Sequence, residues 1–238
     1  MISNRSKPVS FRCSDHWSRY PVDNRPPPSD IAPPMVCQMP YREMKAAELV
    51  RTPFIYPATA EHWGGRHVIV EVGPGRGDFL FHLAGANPGA SVFGIEIKRK
   101  RVDKLIARVE RLGLRNVAII QDDARLAIPR NFAEGSISEI HVQFPDPWPK
   151  KRHEKNRSLS SEFLESCRRA LVPAGTITIL TDSEPYAEAV ALNASAVSGL
   201  EALVVAEGDF GGIYPTFFSE KWKADGRRCY VRKYRKAC

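Results

Sequence analysis

From residue 66 onward, short apolar runs alternate with stretches of helical period, and that alternation leaves few folds open. His67-Val68-Ile69-Val70-Glu71-Val72 is the first run, and Asp78 to Ala84 then reads as helix. Ser91 to Ile97 is the second, followed by a helical stretch from Arg99 to Leu112. Val117 to Gln121 is the third and Ile137 to Phe144 the fourth, with Ser160 to Leu171 helical behind it. Gly175 to Thr181 is the fifth, followed by a helix from Glu184 to Ala194. Leu200 to Val205 and Arg228 to Tyr234 supply two more, expected to pair antiparallel. Strands joined by helices of this length must lie parallel, with helices covering both faces of the sheet. The expected fold is α/β, a doubly wound, mostly parallel sheet of seven strands.

The first 40 residues do not join this pattern. Eight of the 19 prolines fall there, including Pro26-Pro27-Pro28 and Pro33-Pro34. Such a stretch has no period and buries too little apolar surface to offset its ordering entropy. The chain of 238 residues therefore divides into a proline-rich tail, 1–40, and one domain, 41–238. No apolar run reaches 18 residues and no signal-like segment follows Met1, so neither a membrane span nor secretion is expected. Five scattered cysteines (Cys13, Cys37, Cys167, Cys229, Cys238) form no CxxC, and the histidines show no metal spacing. A disulfide framework and a metal site are both disfavoured. Cys167 reads as a buried thiol. The cytoplasm is the expected compartment, and a monomer and a homodimer both stay open.

Net charge is +8 and unevenly spread. Residues 150–157 carry five cations against one acid, and residues 221–236 carry eight against one, so these two segments hold +11 and the rest −3. Clustered cations of this kind suit a phosphate-bearing partner, since each neutralised phosphate releases condensed counterions. Solvated faces explain such runs equally well on charge alone.

The first strand runs into Gly73-Pro74-Gly75-Arg76-Gly77-Asp78. Glycines in a strand-to-helix turn let the backbone approach a ligand closely. The spacing is G-x-G-x-G, and an acid follows where a pyrophosphate would sit, which argues against a nicotinamide dinucleotide. Glu96 closes the second strand, where doubly wound folds place a carboxylate on ribose hydroxyls, and Asp123-Ala124 close the third, where an adenine edge would lie. A phosphate-free nucleoside with positive charge, S-adenosylmethionine, suits these acids. The order of motifs resembles class I methyltransferases.

The fourth strand ends in Phe144-Pro145-Asp146-Pro147-Trp148-Pro149-Lys150-Lys151-Arg152-His153-Glu154-Lys155-Asn156-Arg157. Three prolines in five residues forbid helix and regular sheet, leaving a rigid loop. This phrase resembles the signature of the bacterial tRNA (guanine-N7-)-methyltransferase family, and the similarity runs from about Glu71 to Gly226. The resemblance implies that Glu71, Gly73, Gly75, Glu96, Asp123, Ala124 and Asp146 line an S-adenosylmethionine site. It makes Asp146 the active-site acid and Lys150 a substrate contact, with Arg152, His153, Lys155, Asn156 and Arg157 touching RNA. Thr181-Asp182 matches the family's Thr-Asp, making Asp182 a second substrate contact. The family's closing Thr-x-Phe-Glu, which the resemblance places against the substrate, becomes Thr216-Phe217-Phe218-Ser219 here, with Glu220 one place late. Either Ser219 replaces the acid or Glu220 serves through a local slip. The implied reaction is methylation of N7 of a tRNA guanine, at position 46 in the variable loop.

Two readings compete with it. One is a methyltransferase for another acceptor, against which stand the basic segments and the proline–tryptophan loop. The other is an RNA-binding protein that has lost catalysis, to which the altered Thr216–Ser219 motif lends support.

Overall fold

A computed structural model describes residues 67–146, 159–205, 226 and 228–238, together with the backbone of 54–56. Eight strands form one sheet: β1 (Phe54–Tyr56), β2 (Val68–Val72), β3 (Ser91–Ile95), β4 (Val117–Gln121), β5 (Ile137–Gln143), β6 (Leu171–Thr181), β7 (Leu200–Leu203) and β8 (Tyr230–Lys236). The helices among the described residues are α1 (Asp78–Ala86), α2 (Arg99–Leu112), α3 (Ala124–Asn131), α4 (Ser161–Ala170) and α5 (Glu184–Ser195). The strand order is β1-β4-β3-β2-β5-β6-β8-β7. Strands β2 to β6 pair in parallel, while β8 runs antiparallel between β6 and β7. The seven expected strands are all present. The short β1, antiparallel on the β4 edge, is an eighth that no period announced.

Alternation along the strands sorts side chains into two cores. Ile69, Val92, Val117 and Ile119 pack under α1 and α2 with Leu80, Phe81, Val102, Leu105 and Val109. Val70, Val72, Phe93, Ile95, Ala118 and Ile120 point to the other face, against Ile128, Phe163, Leu164 and Tyr186 of α3 to α5. The central parallel strands β2, β3 and β4 are buried on both sides, as a parallel sheet requires. Cys167 is fully buried in the second core, and burial pushes its thiol up. None of the described helices is long and apolar enough to cross a membrane.

Local chemistry fixes the helix ends. Helix α2 stops at Gly113, whose φ of 61° is left-handed; its N–H donates to Glu110 O and that of Leu114 to Val109 O, a Schellman closure. Ser160 caps α4 by accepting from the Phe163 N–H at 3.3 Å. Helix α3 was not expected, because Pro129 sits inside it. Strand β6 begins four residues before the expected Gly175: Ile137 pairs Leu171 and Glu139 pairs Thr176, so the extra residues bulge out around Ala174, φ 62°.

The packing of α1 depends on two glycines. Gly94 of β3 has no Cβ because one would lie 2.9 Å from Leu80 Cδ2 and 3.1 Å from Pro74 Cγ. Gly77, at φ 81°, opens α1, and a Cβ there would lie 2.5 Å from both Leu105 Cδ2 and Phe81 Cε2. Gly77→Ala therefore combines left-handed strain with overpacking and is expected to cost about 2–4 kcal/mol of stability. Denaturant unfolding checks this, and a loss below about 1 kcal/mol contradicts it.

Candidate active site

The strand order reverses at β2, which lies between β3 and β5, and ligands of open α/β sheets bind beyond the carboxyl ends of strands at such a point. A cleft of about 1410 Å³ opens there. It is lined by Glu71, Gly73, Gly75, Glu96, Asp123, Ala124, Asp146 and Asp182, among others. Every described residue that the resemblance assigns to the cofactor or substrate site thus lines one cavity. Lys150, Arg152, His153, Lys155, Asn156, Arg157, Thr216, Phe217, Phe218 and Ser219 lie outside the described residues.

Leaving β2, the chain turns through Gly73 at φ 71° and Gly75 at φ 56°. The Gly73 N–H donates to Ile95 O at 2.8 Å, tying the loop to β3. A Cβ at Gly73 would meet nothing within 4 Å, so this part of the loop borders open space and leaves room for a ligand against the backbone.

The acids differ in how far the protein already satisfies them. Glu71 is 3% exposed, and its Oε2 has no hydrogen-bond partner among the described residues. Burial pushes its carboxyl up to about 8, with Asp78 and then Glu96 adding to the rise against a Leu80 N–H that lowers it. Glu96 is equally buried but engaged: it accepts from the Lys98 N–H at 2.8 Å and from Arg101 Nη1 at 3.4 Å. Asp123 caps α3, accepting from the Arg125 N–H at 3.0 Å, and the Arg125 side chain holds its carboxyl below the usual range.

The sequence reading missed two groups. Asp122 also lines the cleft; its buried Oδ2 lies 3.6 Å from Arg130 without a hydrogen bond. The acid doublet Asp122-Asp123 was the available signal. Gln143, the last residue of β5, lines the cleft with both amide atoms buried and without partners among the described residues. Nothing in its spacing set it apart.

Beyond Gln143 the chain bends sharply. Phe144 has a left-handed φ of 46°, and its N–H donates to Leu180 O at 2.7 Å. A bulky residue held in that region marks local strain of the kind that gathers at functional sites. The bend brings exposed Asp146 to the same cleft as Asp182, which follows β6.

This donor set fits S-adenosylmethionine. Buried carboxylates at the strand ends suit an ammonium, a sulfonium and ribose hydroxyls, and the unpartnered Glu71 Oε2 and Gln143 amide offer hydrogen bonds that the described protein leaves unused. Glu71 also links pH to stability. Its folded-state value lies above the ordinary 4.5, so the native state keeps a proton that the unfolded chain has lost. Stability from this group is full below 4.5 and is lost as pH rises to about 8. Ligand-free wild type should therefore lose more stability across that window than Glu71→Gln. Unfolding curves at several pH values check this, and parallel pH profiles contradict it.

Comparison with known proteins agrees with the geometry. A family model described as "Putative methyltransferase" matches residues 65–229. A tRNA (guanine-N(7)-)-methyltransferase of Geobacter metallireducens is 35% identical over 170 residues, covering 70% of this chain and 81% of that protein. One of Thermotoga maritima is 34% identical over 169 residues, covering 71% of this chain but only 54% of that longer protein. Among solved structures, the 16S rRNA methyltransferase KamB aligns with a TM-score of 0.55 at 17% identity, covering 73% of this chain and 89% of that one. That likeness shows the class I methyltransferase fold alone. By the reach of the family model and the identity to the Geobacter protein, the chain belongs to the tRNA (guanine-N7-)-methyltransferase family.

Proposed function

We propose that the chain transfers a methyl group from S-adenosylmethionine to N7 of a guanine in tRNA, at position 46 of the variable loop. One observation carries the reading beyond family membership: Asp146 and Asp182 line the same cleft as the buried acids Glu71 and Glu96. A cofactor floor and a place for an acceptor base thus share one space.

When bound, the cofactor supplies an electrophilic methyl on a sulfonium. Guanine N7 has an in-plane lone pair, so the protein needs no general base to make it nucleophilic. The work left to the chain is positioning and electrostatics. Glu71 and Glu96, with the Gly73–Gly75 backbone, hold the donor. Asp146 and Asp182 accept from the N1–H and N2–H edge of the guanine, orienting it and favouring the positive charge that develops on the purine. Reaching N7 requires the base to leave its stack, and Trp148 and the basic 150–157 segment supply stacking and phosphate contacts in this reading.

The test is label transfer from S-adenosylmethionine to unmodified tRNA under single-turnover conditions, with Asp146→Ala alongside wild type. The expected result is transfer by wild type and a rate lower by about 100-fold or more in the variant, with a much smaller loss of cofactor affinity. An unchanged single-turnover rate removes Asp146 from the mechanism. Cofactor binding without transfer by wild type favours an RNA-binding role or another acceptor.

A further inference from the structure

We infer that the cleft-facing side of α2 is a third contact for the tRNA backbone, in addition to the two basic segments read from the sequence. The inference rests on the proposed function. Residues 98–115 carry eight Lys or Arg against Asp103 and Glu110, a net of +6. With this stretch and the +4 and +7 segments set aside, the remainder of the +8 chain carries −9. The cations are therefore segregated from an acidic body.

Four of them form a stripe. Arg101, Lys104, Arg108 and Arg111 follow one another at spacings of three, four and three residues, which places them on one helix face. All four line the cleft. Val102, Leu105, Ile106 and Val109 occupy the opposite, buried face. At 1.5 Å rise per residue the stripe is about 15 Å long, enough to meet several phosphates of a strand.

The stripe is only partly neutralised. Arg101 is paired with Glu96 at 3.4 Å, and Arg108 with Asp78 at 2.9 Å. Arg108 is held further by the Arg76 carbonyl at 3.1 Å and by the Phe81 ring, 4.5 Å from its guanidinium. Lys104 and Arg111 are exposed and have no ion pair among the described residues. The cleft is thus polarised: acids sit at the strand ends, and along the α2 wall stand four cations, two of them without an ion pair among the described residues. A cationic donor belongs on the acid floor. A polyanion belongs on the wall, and a cleft this large exceeds the roughly 300–1,000 Å³ of a small-ligand pocket.

The test is steady-state methyl transfer by the full chain with Lys104→Ala/Arg111→Ala, and with Arg169→Ala on α4, an exposed arginine that does not line the cleft. The double variant should raise KM for tRNA by about ten-fold and flatten the salt slope of tRNA affinity by about two. Cofactor affinity should stay unchanged, and the Arg169 variant should behave as wild type. Unchanged KM and slope overturn the inference, as does a loss confined to cofactor affinity, which would assign the wall to the donor. Wild type inactive on tRNA would instead bring down the functional reading, and would show before any variant is measured.

Discussion

The position of β2 between two parallel partners is the constraint from which the site follows. Its ladder pairs Glu71 with Gly94 on one side and His141 on the other. The chain winds outward through β3 and β4, then returns to add β5 and β6 on the opposite flank. That reversal parts the helical layers at the strand ends, so the glycine loop, Glu96, the Asp122-Asp123 pair and the turn at Phe144 all open into one space. The close seating of α1 on Gly94 and of α2 on Gly77, with the Gly73 N–H bond to Ile95 O, fixes the course of the loop between β2 and α1.

Electrostatics then divides that space. Glu71 is buried so deeply that it holds its proton near neutrality in the absence of a partner. A cation arriving beside it lets the charged form exist, so binding energy and proton release are linked. Glu96 and Asp123 are already anchored by Arg101 and Arg125, which fixes their geometry in advance. In the proposed reaction, floor acids of different occupancy and the α2 cations would give donor and acceptor separate places.

Much of this was legible in the sequence because it follows from period and punctuation. Helix α2 and strand β4 have the expected bounds, since an amphipathic run ended by Gly113 and a run of buried apolar residues ended by Gln121 leave little choice. Helix α3 was hidden because Pro129 reads as a breaker, although the Asp123 cap starts the helix ahead of it. The early start of β6 was hidden because Pro173-Ala174-Gly175 reads as a turn and forms a bulge. The α2 stripe escaped a charge count that pooled its cations with acids elsewhere in the chain. Its meaning depends on which cations share a helix face and whether counterions meet them, and both are facts of packing. The unmet Glu71 Oε2 and Gln143 amide are likewise invisible until burial is known.

The central claim is that guanine is methylated at N7 in the acid-floored cleft that Asp146 and Asp182 also line. The most direct measurement is chemical cleavage at N7-methylguanine of tRNA treated with the full chain and S-adenosylmethionine, with the break mapped along the RNA. The account predicts one break, in the variable loop. Methyl incorporation with no cleavage, or cleavage scattered over many guanines, would contradict it.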